Sequence, residues 1–284
     1  MRNKFSHIGL VFFVLIGVIP FAAAFIYALL YSLGIVGVLN SGFTLQHWQT
    51  VLASSEVFKS FGYSALVAAI SVVISVSFAL WLALKFRKEF DQKILSFIIY
   101  LPLAIPGVVA AFFTFQLFSR AGFFSRLAYQ LGWINEVSQF PDLVNDALAT
   151  GIIITFITIV MPFFVLLFLN VYKNERVGNL SELAYSLGAS SKQVLWRVSL
   201  PVILRKTWTL IALYFIFLLG AYEIPLLLGQ ESPQMLSVLI IREIKQFDLS
   251  KISEGYAIAI IYTIVVSVAV SALFSRKNKT LNEI

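Results

Sequence analysis

Residues 170–207, NVYKNERVGNLSELAYSLGASSKQVLWRVSLPVILRKT, decide the reading of this chain. On either side lie apolar runs, 148–169 and 208–228, each long enough for a membrane-spanning helix of about 20 residues. The segment between them is too polar to be buried and too patterned to be irregular. Asn179 followed by Glu182 has the cap-and-N3 spacing that opens a helix, and Ser190 followed by Gln193 repeats it as a capping box. Gly188 stands between the two, where a helix C-terminus favours a residue that tolerates positive φ. Leu200-Pro201 then closes the second helix. The expectation is two short helices joined by a bend at Gly188-Ala189. Leu183, Leu187, Val194, Leu195 and Val198 would supply apolar faces for docking on membrane helices or on a partner.

The rest of the chain agrees with a lipid environment. Of 284 residues, 60% are hydrophobic and 12% charged, against roughly 45–50% and about 25% in soluble domains. The mean hydropathy of +0.90 reflects the same shortage of charge. Six apolar stretches qualify as spans, at about 8–33, 60–84, 94–118, 148–169, 208–228 and 256–274. With their ends trimmed none holds Lys or Arg, and Glu223 is the only acid inside any of them. The expected fold is therefore all-α, a polytopic membrane protein with six transmembrane helices in one domain, 1–284.

The basic residues orient it. With the N-terminus inside, the inner segments hold 15 of the 21 Lys and Arg, among them Arg2, Lys4, Lys85, Arg87, Lys88, Lys93, Arg276, Lys277 and Lys279. The outer segments hold 6: Lys59, Arg120, Arg126, Arg242, Lys245 and Lys251. That bias places both termini in the cytoplasm and accounts for most of the net charge of +7 without nucleic acid. Arg2, Lys4 and Ala22-Ala23-Ala24 imitate a cleaved signal peptide, but the apolar run continues to Leu33, so a retained first helix is expected. The 40–59 segment reads as a polar outer loop with Trp48 as an interfacial anchor. Residues 122–131 repeat apolar residues at a spacing that suits a short helix on the outer surface.

The chain has no cysteine and two histidines, His7 and His47. This excludes thiolate chemistry and multi-histidine metal sites, so neither metal nor cofactor is expected. An intramembrane protease would need paired acids, a Ser/His pair or metal-binding histidines. A secondary transporter or channel would use Glu223 but leaves the patterned loop unexplained.

Glu182-Leu183-Ala184-Tyr185-Ser186-Leu187-Gly188-Ala189, with Leu200-Pro201 ending it, resembles the EAA loop of ABC-importer permeases. Glu182, Ala184, Gly188, Ala189, Leu200 and Pro201 fall in that pattern. Leu183 replaces its first Ala, and Leu195 stands where Phe is common. The proline pair of 101–106 and Met161-Pro162-Phe163 extend the likeness, and 220–226 (GAYEIPL) is similar to a stretch in polyamine- and iron-type permeases. The resemblance implies a type I importer permease of the bacterial cytoplasmic membrane working by alternating access. Its implied partners are cytoplasmic ATPase subunits, a second permease copy or paralogue, and an extracytoplasmic substrate-binding protein. No G-x-x-x-x-G-K-[ST] phosphate loop is present, so nucleotide hydrolysis is expected in a separate chain.

Within the spans, Tyr222, Glu223, Pro225 and Pro162 are the expected pathway or gate residues. About 15 residues beyond Trp208, or roughly 22 Å up a ~30 Å core, Glu223 is expected inside a helix in the outer part of the membrane. An ionisable group there is by default functional, and Pro225 would leave the Ala221 carbonyl without its helical partner. A cationic substrate would suit the charge. The competing reading pairs Glu223 with an outer-loop Arg or Lys. Glu182 likewise has a plain reading, as a cap for its own helix at Asn179, beside docking.

Overall fold

Apolar backbone in lipid must satisfy its own N–H and C=O groups, and helices do so within one segment. The computed structural model describes residues 9–40, 42–91 and 93–281, and among them there is no strand. Arg2, Lys4 and His7 lie outside the described residues, as do the side chains of Lys93, Arg276, Lys277 and Lys279. Among the described residues six helices are long and apolar enough to cross a membrane. The elements are α1 (Gly9–Ser32), α2 (Gln46–Ala53), α3 (Ser55–Lys85), α4 (Lys93–Tyr100), α5 (Gly107–Phe118) and α6 (Phe123–Gln130). They continue with α7 (Thr150–Asn174), α8 (Val177–Ser186), α9 (Ser191–Leu219), α10 (Glu223–Leu228), α11 (Leu236–Lys245) and α12 (Leu249–Leu281).

Two spans differ from their expected form. The third is not one helix over 94–118. It is α4, a 3-10 turn at Leu101–Ala104, an extended link through Ile105 (ψ 123°) and Pro106 (ψ 145°), then α5. Pro106 drives Ile105 out of the helical region, and Pro102 removes a further backbone donor. The fifth begins much earlier than residue 208 and ends by Leu219 rather than 228. Leu200-Pro201 does not close the loop helix; α9 runs through it. A π turn at Leu195–Ser199, with the Leu200 N–H bonded to the Leu195 carbonyl, accommodates the proline ring within a continuous helix. The 40–59 segment, expected as an outer loop, contains α2, and residues 123–130 of the apolar repeat form the helix α6.

The chain gathers into two compact units, Phe61–Met235 and the paired end segments Met1–Ser60 with Leu236–Ile284. In the first, α7 is central and buries Ile152, Phe156, Phe164 and Phe168 completely. Thr155 on α7 donates a hydrogen bond to Thr114 Oγ1 on α5 at 2.8 Å, and Thr114 donates in turn to the Ala110 carbonyl at 3.0 Å. Gly151 is needed at the start of α7, since a Cβ there would stand 2.8 Å from the Leu143 carbonyl. Thr155→Val keeps shape and loses the interhelical bond. About 1 kcal/mol of stability should go with it, read as a melting shift of about 2–4 °C in detergent. An unchanged melting point would make the bond energetically silent.

In the other unit the Tyr31 ring lies 4.6 Å from the Tyr256 ring, and Tyr27 meets Tyr256 edge-on at 6.1 Å. Trp48, expected as an interfacial anchor, is half-buried and donates from Nε1 to Ser32 Oγ at 3.2 Å. Arg242 bridges Glu56 at 2.6 Å and the buried Glu243 at 3.1 Å. Burial alone would lower the Arg242 pKa, but hydrogen bonds to Glu56 and Glu243 outweigh it and raise the pKa above the usual arginine value.

Candidate coupling loop and pathway wall

The polar segment between α7 and α9 is a two-helix knob, as its spacing predicts, with one boundary moved. Arg176, at φ 49°, is the residue before α8, and Asn179 lies inside the first turn rather than capping it. Glu182 therefore does not cap its helix at Asn179; it is exposed on α8. The buried Val177 seats the helix. At the far end Gly188 takes φ +84°. Its N–H bonds to the Tyr185 carbonyl at 2.9 Å, and the Ala189 N–H reaches the Ala184 carbonyl at 3.0 Å. This Schellman closure satisfies carbonyls that the helix end would otherwise strand, and it puts Ala184, Gly188 and Ala189 in a single turn.

Ser190 then opens α9 with a complete capping box: its N–H donates to Gln193 Oε1 at 2.8 Å, and the Gln193 N–H donates to Ser190 Oγ at 3.4 Å. Val194 is buried behind the knob, with Ile203 and Thr207 further along α9. Leu200 is half-buried and Pro201 exposed. On the outside of the knob Leu183 is 62% exposed, Leu187 88% and Trp196 63%, so these side chains do not dock on this chain's own helices. Beside the knob a cleft of about 370 Å³ is lined by Arg87, Tyr172, Ser181, Glu182 and Tyr185, among others. Arg87 stacks on the Tyr172 ring at 5.2 Å. Sequence reasoning missed that pairing because Arg87 lies in the turn after α3 and Tyr172 near the end of α7, far apart in the chain.

The second group lies where α9 stops. The helix ends at Gly220, and Glu223 is the first residue of α10, so Glu223 is not inside a continuous span. Pro225 falls in the first turn of α10, where a backbone N–H has no intrahelical partner in any case. Its ring does not create the break, which precedes it. Ile224, Pro225 and Leu228 are buried, Tyr222 is half-buried, and Glu223 is exposed. Among the described residues no basic side chain lies within ion-pair distance of Glu223. One carboxylate oxygen instead stands 3.7 Å from where a Cβ on Gly107 would be, with Ile224 Cδ1 at 3.5 Å from the same point. Pro162 is buried in mid-α7, away from any exposed wall.

Six membrane-length helices and an exposed helical knob between the fourth and fifth define a multi-pass membrane protein of the permease class. A family model described as binding-protein-dependent transport system inner membrane component matches residues 75–280, and the chain belongs to that family. It is a permease component of an ABC importer. The chain is 26% identical over 237 residues to the probable sulfate transport system permease protein cysT of Marchantia polymorpha, covering 81% of this chain and 76% of that protein. It is 27% identical over 248 residues to the sulfate transport system permease protein CysT of Synechocystis, covering 85% and 78%. Neither relative is of the polyamine or iron type suggested by residues 220–226. In fold it is similar to a chain of a bacterial ABC transporter that imports the acidic polysaccharide alginate, with TM-score 0.70 over 98% of both chains at 17% identity. A second structure of a bacterial alginate ABC transporter, in complex with an alginate pentasaccharide-bound periplasmic protein, gives TM-score 0.72 over 96% and 93% at 18% identity.

Proposed function

We propose that the chain forms half of a transport pathway for a tetrahedral oxyanion such as sulfate. It works in the bacterial cytoplasmic membrane with both termini inside. Its coupling element is the knob carrying Glu182, Ala184, Gly188, Ala189, Leu200 and Pro201, which engages a cytoplasmic ATPase chain. A second permease copy or paralogue completes the pathway, and an extracytoplasmic binding protein delivers the substrate. Tyr222, Glu223 and Pro225 belong to the pathway wall, and Pro162 shapes the helix behind it. The observation that carries this reading is the exposed apolar edge of the knob, Leu183 and Leu187 on and just after α8 and Trp196 on α9, together with the unbroken run of α9 into a span. A rigid projection of that kind transmits a push, whereas a loose loop would absorb it. The oxyanion assignment comes from the sulfate permeases among the relatives.

Reporter fusions test the orientation. Fusions after Glu89, Ser190 and Lys279 should report inside, and those after Asn40, Gln139 and Gln246 outside. An outside signal at Ser190 would end the coupling reading, because no cytoplasmic ATPase could reach the knob. Co-expression with the second permease, the ATPase and the binding protein should give sulfate uptake that depends on the ATPase and the binding protein.

A further inference from the structure

We infer that the cleft beside the knob receives an acidic side chain of the ATPase, and that Arg87 is the residue that binds its carboxylate. The inference rests on the coupling reading above and adds to the knob a contact from a different part of the chain. Arg87 lies in the turn that follows α3. Two backbone bonds fix that turn, from the Phe86 N–H to the Leu82 carbonyl at 2.9 Å and from the Phe90 N–H to the Phe86 carbonyl at 3.1 Å. The guanidinium stacks on the ring of Tyr172, near the end of α7, at 5.2 Å. A Cβ on Gly178 would stand 3.5 Å from the Tyr172 hydroxyl, so the same ring reaches the first turn of α8. A guanidinium stacked through its face keeps the N–H donors of its rim for a carboxylate. Arg87 is exposed, and among the described residues no carboxylate lies within ion-pair distance of it.

The cleft has the size and the wall chemistry for a partner's side chain. At about 370 Å³ it is far larger than a single small oxyanion fills. Its lining includes Ser181 and the buried Ser199, whose hydroxyl oxygens are 3.5 Å apart and join α8 to α9. Glu182 lines the same cleft, and no basic side chain is in ion-pair range of it among the described residues. A free anion beside Arg87 would also sit in the field of that carboxylate, whereas a protein segment brings its own balancing charge. Lys192 and Arg197 are exposed on α9 as well, so this face favours an acidic partner surface. The exposed leucines of the knob supply the apolar part of the contact, and Arg87 supplies a charge that sets its register. Through Arg87 the ATPase also holds α3, a span that the knob does not enter.

The complete importer is purified through a tag on this chain, as the parent, Arg87→Gln or Arg87→Lys, and retained ATPase is measured at low and high salt. Arg87→Gln should weaken the association by about tenfold at low salt and flatten its salt dependence. Arg87→Lys keeps the charge without the planar fork and should lose about two- to threefold. A zero-length carbodiimide, which condenses an amine with a carboxylate and releases water, is then applied to the Arg87→Lys complex. Mass spectrometry of the cross-linked peptides should place an Asp or Glu of the ATPase on position 87. Equal retention and equal salt dependence in all three, with no ATPase peptide on position 87, overturns the inference. A lower melting point in Arg87→Gln with retention unchanged also overturns it, leaving the stacked pair as packing alone. So does millimolar sulfate that slows ATP hydrolysis in the parent but not in Arg87→Gln, without a cross-link, since a free oxyanion would then take the cleft. Loss of the ATPase from Leu187→Asp with Arg87→Gln unaffected would keep the knob and remove the cleft contact. A parent that retains no ATPase would sink the coupling reading itself, and this inference with it.

Discussion

Gly188→Val is expected to abolish binding-protein-stimulated ATP hydrolysis and uptake while membrane insertion stays near normal. Space is not the reason, since nothing lies within 4 Å of where a Cβ would stand. The backbone is. At φ +84° an L-residue costs about 1–2 kcal/mol, and a β-branched one fits worst. The chain would escape by leaving the left-handed conformation, and with it the two hydrogen bonds that close the C-terminus of α8 and set the direction of the chain into α9. Glu182, Leu183 and Leu187 would then face a new direction. Gly188→Asn separates this account from simple damage, because Asn tolerates the left-handed region. It should retain most of the coupled activity. Normal coupling in the Val variant would reduce the knob to a connecting loop.

Leu187→Asp should remove the ATPase from the purified complex, weakening association by about 30-fold or more. At 88% exposure Leu187 contributes little to this chain's own packing, so the folded permease should survive the change. An apolar anchor at the centre of an interface is commonly worth about 2 kcal/mol or more, and a buried unpaired carboxylate adds to the loss. Phe247→Asp is the control: Phe247 is also fully exposed but lies between α11 and α12, not on the knob. Copurification of the ATPase should be untouched by that variant. If both variants keep the ATPase, the exposed leucines do not form the docking face.

The spans and the knob were legible because each rests on local chemistry. Apolar length announces a membrane helix, and Ser190 with Gln193 writes its own capping box. Gly188 was readable for the same reason, since few residues other than glycine suit a left-handed closure. The errors came where two local rules competed. Asn179 has the chemistry of a cap, but the helix started two residues earlier because Val177 found a buried seat. Pro201 ordinarily marks a helix boundary, yet a π turn upstream absorbed it, and no residue pattern in Leu195–Ser199 advertises that turn. Glu223 was placed inside a helix by counting rise per residue, which assumes continuity through Gly220. The packing of α10 against α5 joins residues more than a hundred positions apart, and a single sequence does not report such pairs.

The division of the chain sets an order for its biogenesis. Residues 61–235, which include the knob, α5 and α10, are contiguous. At roughly 5–20 residues per second of synthesis, that unit can close before the remainder of the chain is made. The other unit joins the two ends, so Tyr27 and Tyr31 wait for Tyr256 until α12 has left the ribosome. Meanwhile α1 must stand alone in lipid. It is equipped to do so, being apolar along its length and unburied from Gly9 to Tyr27. A nascent chain stalled near residue 240 should therefore already resist proteolysis around the knob, while α1 remains open to whichever neighbour in the membrane reaches it first.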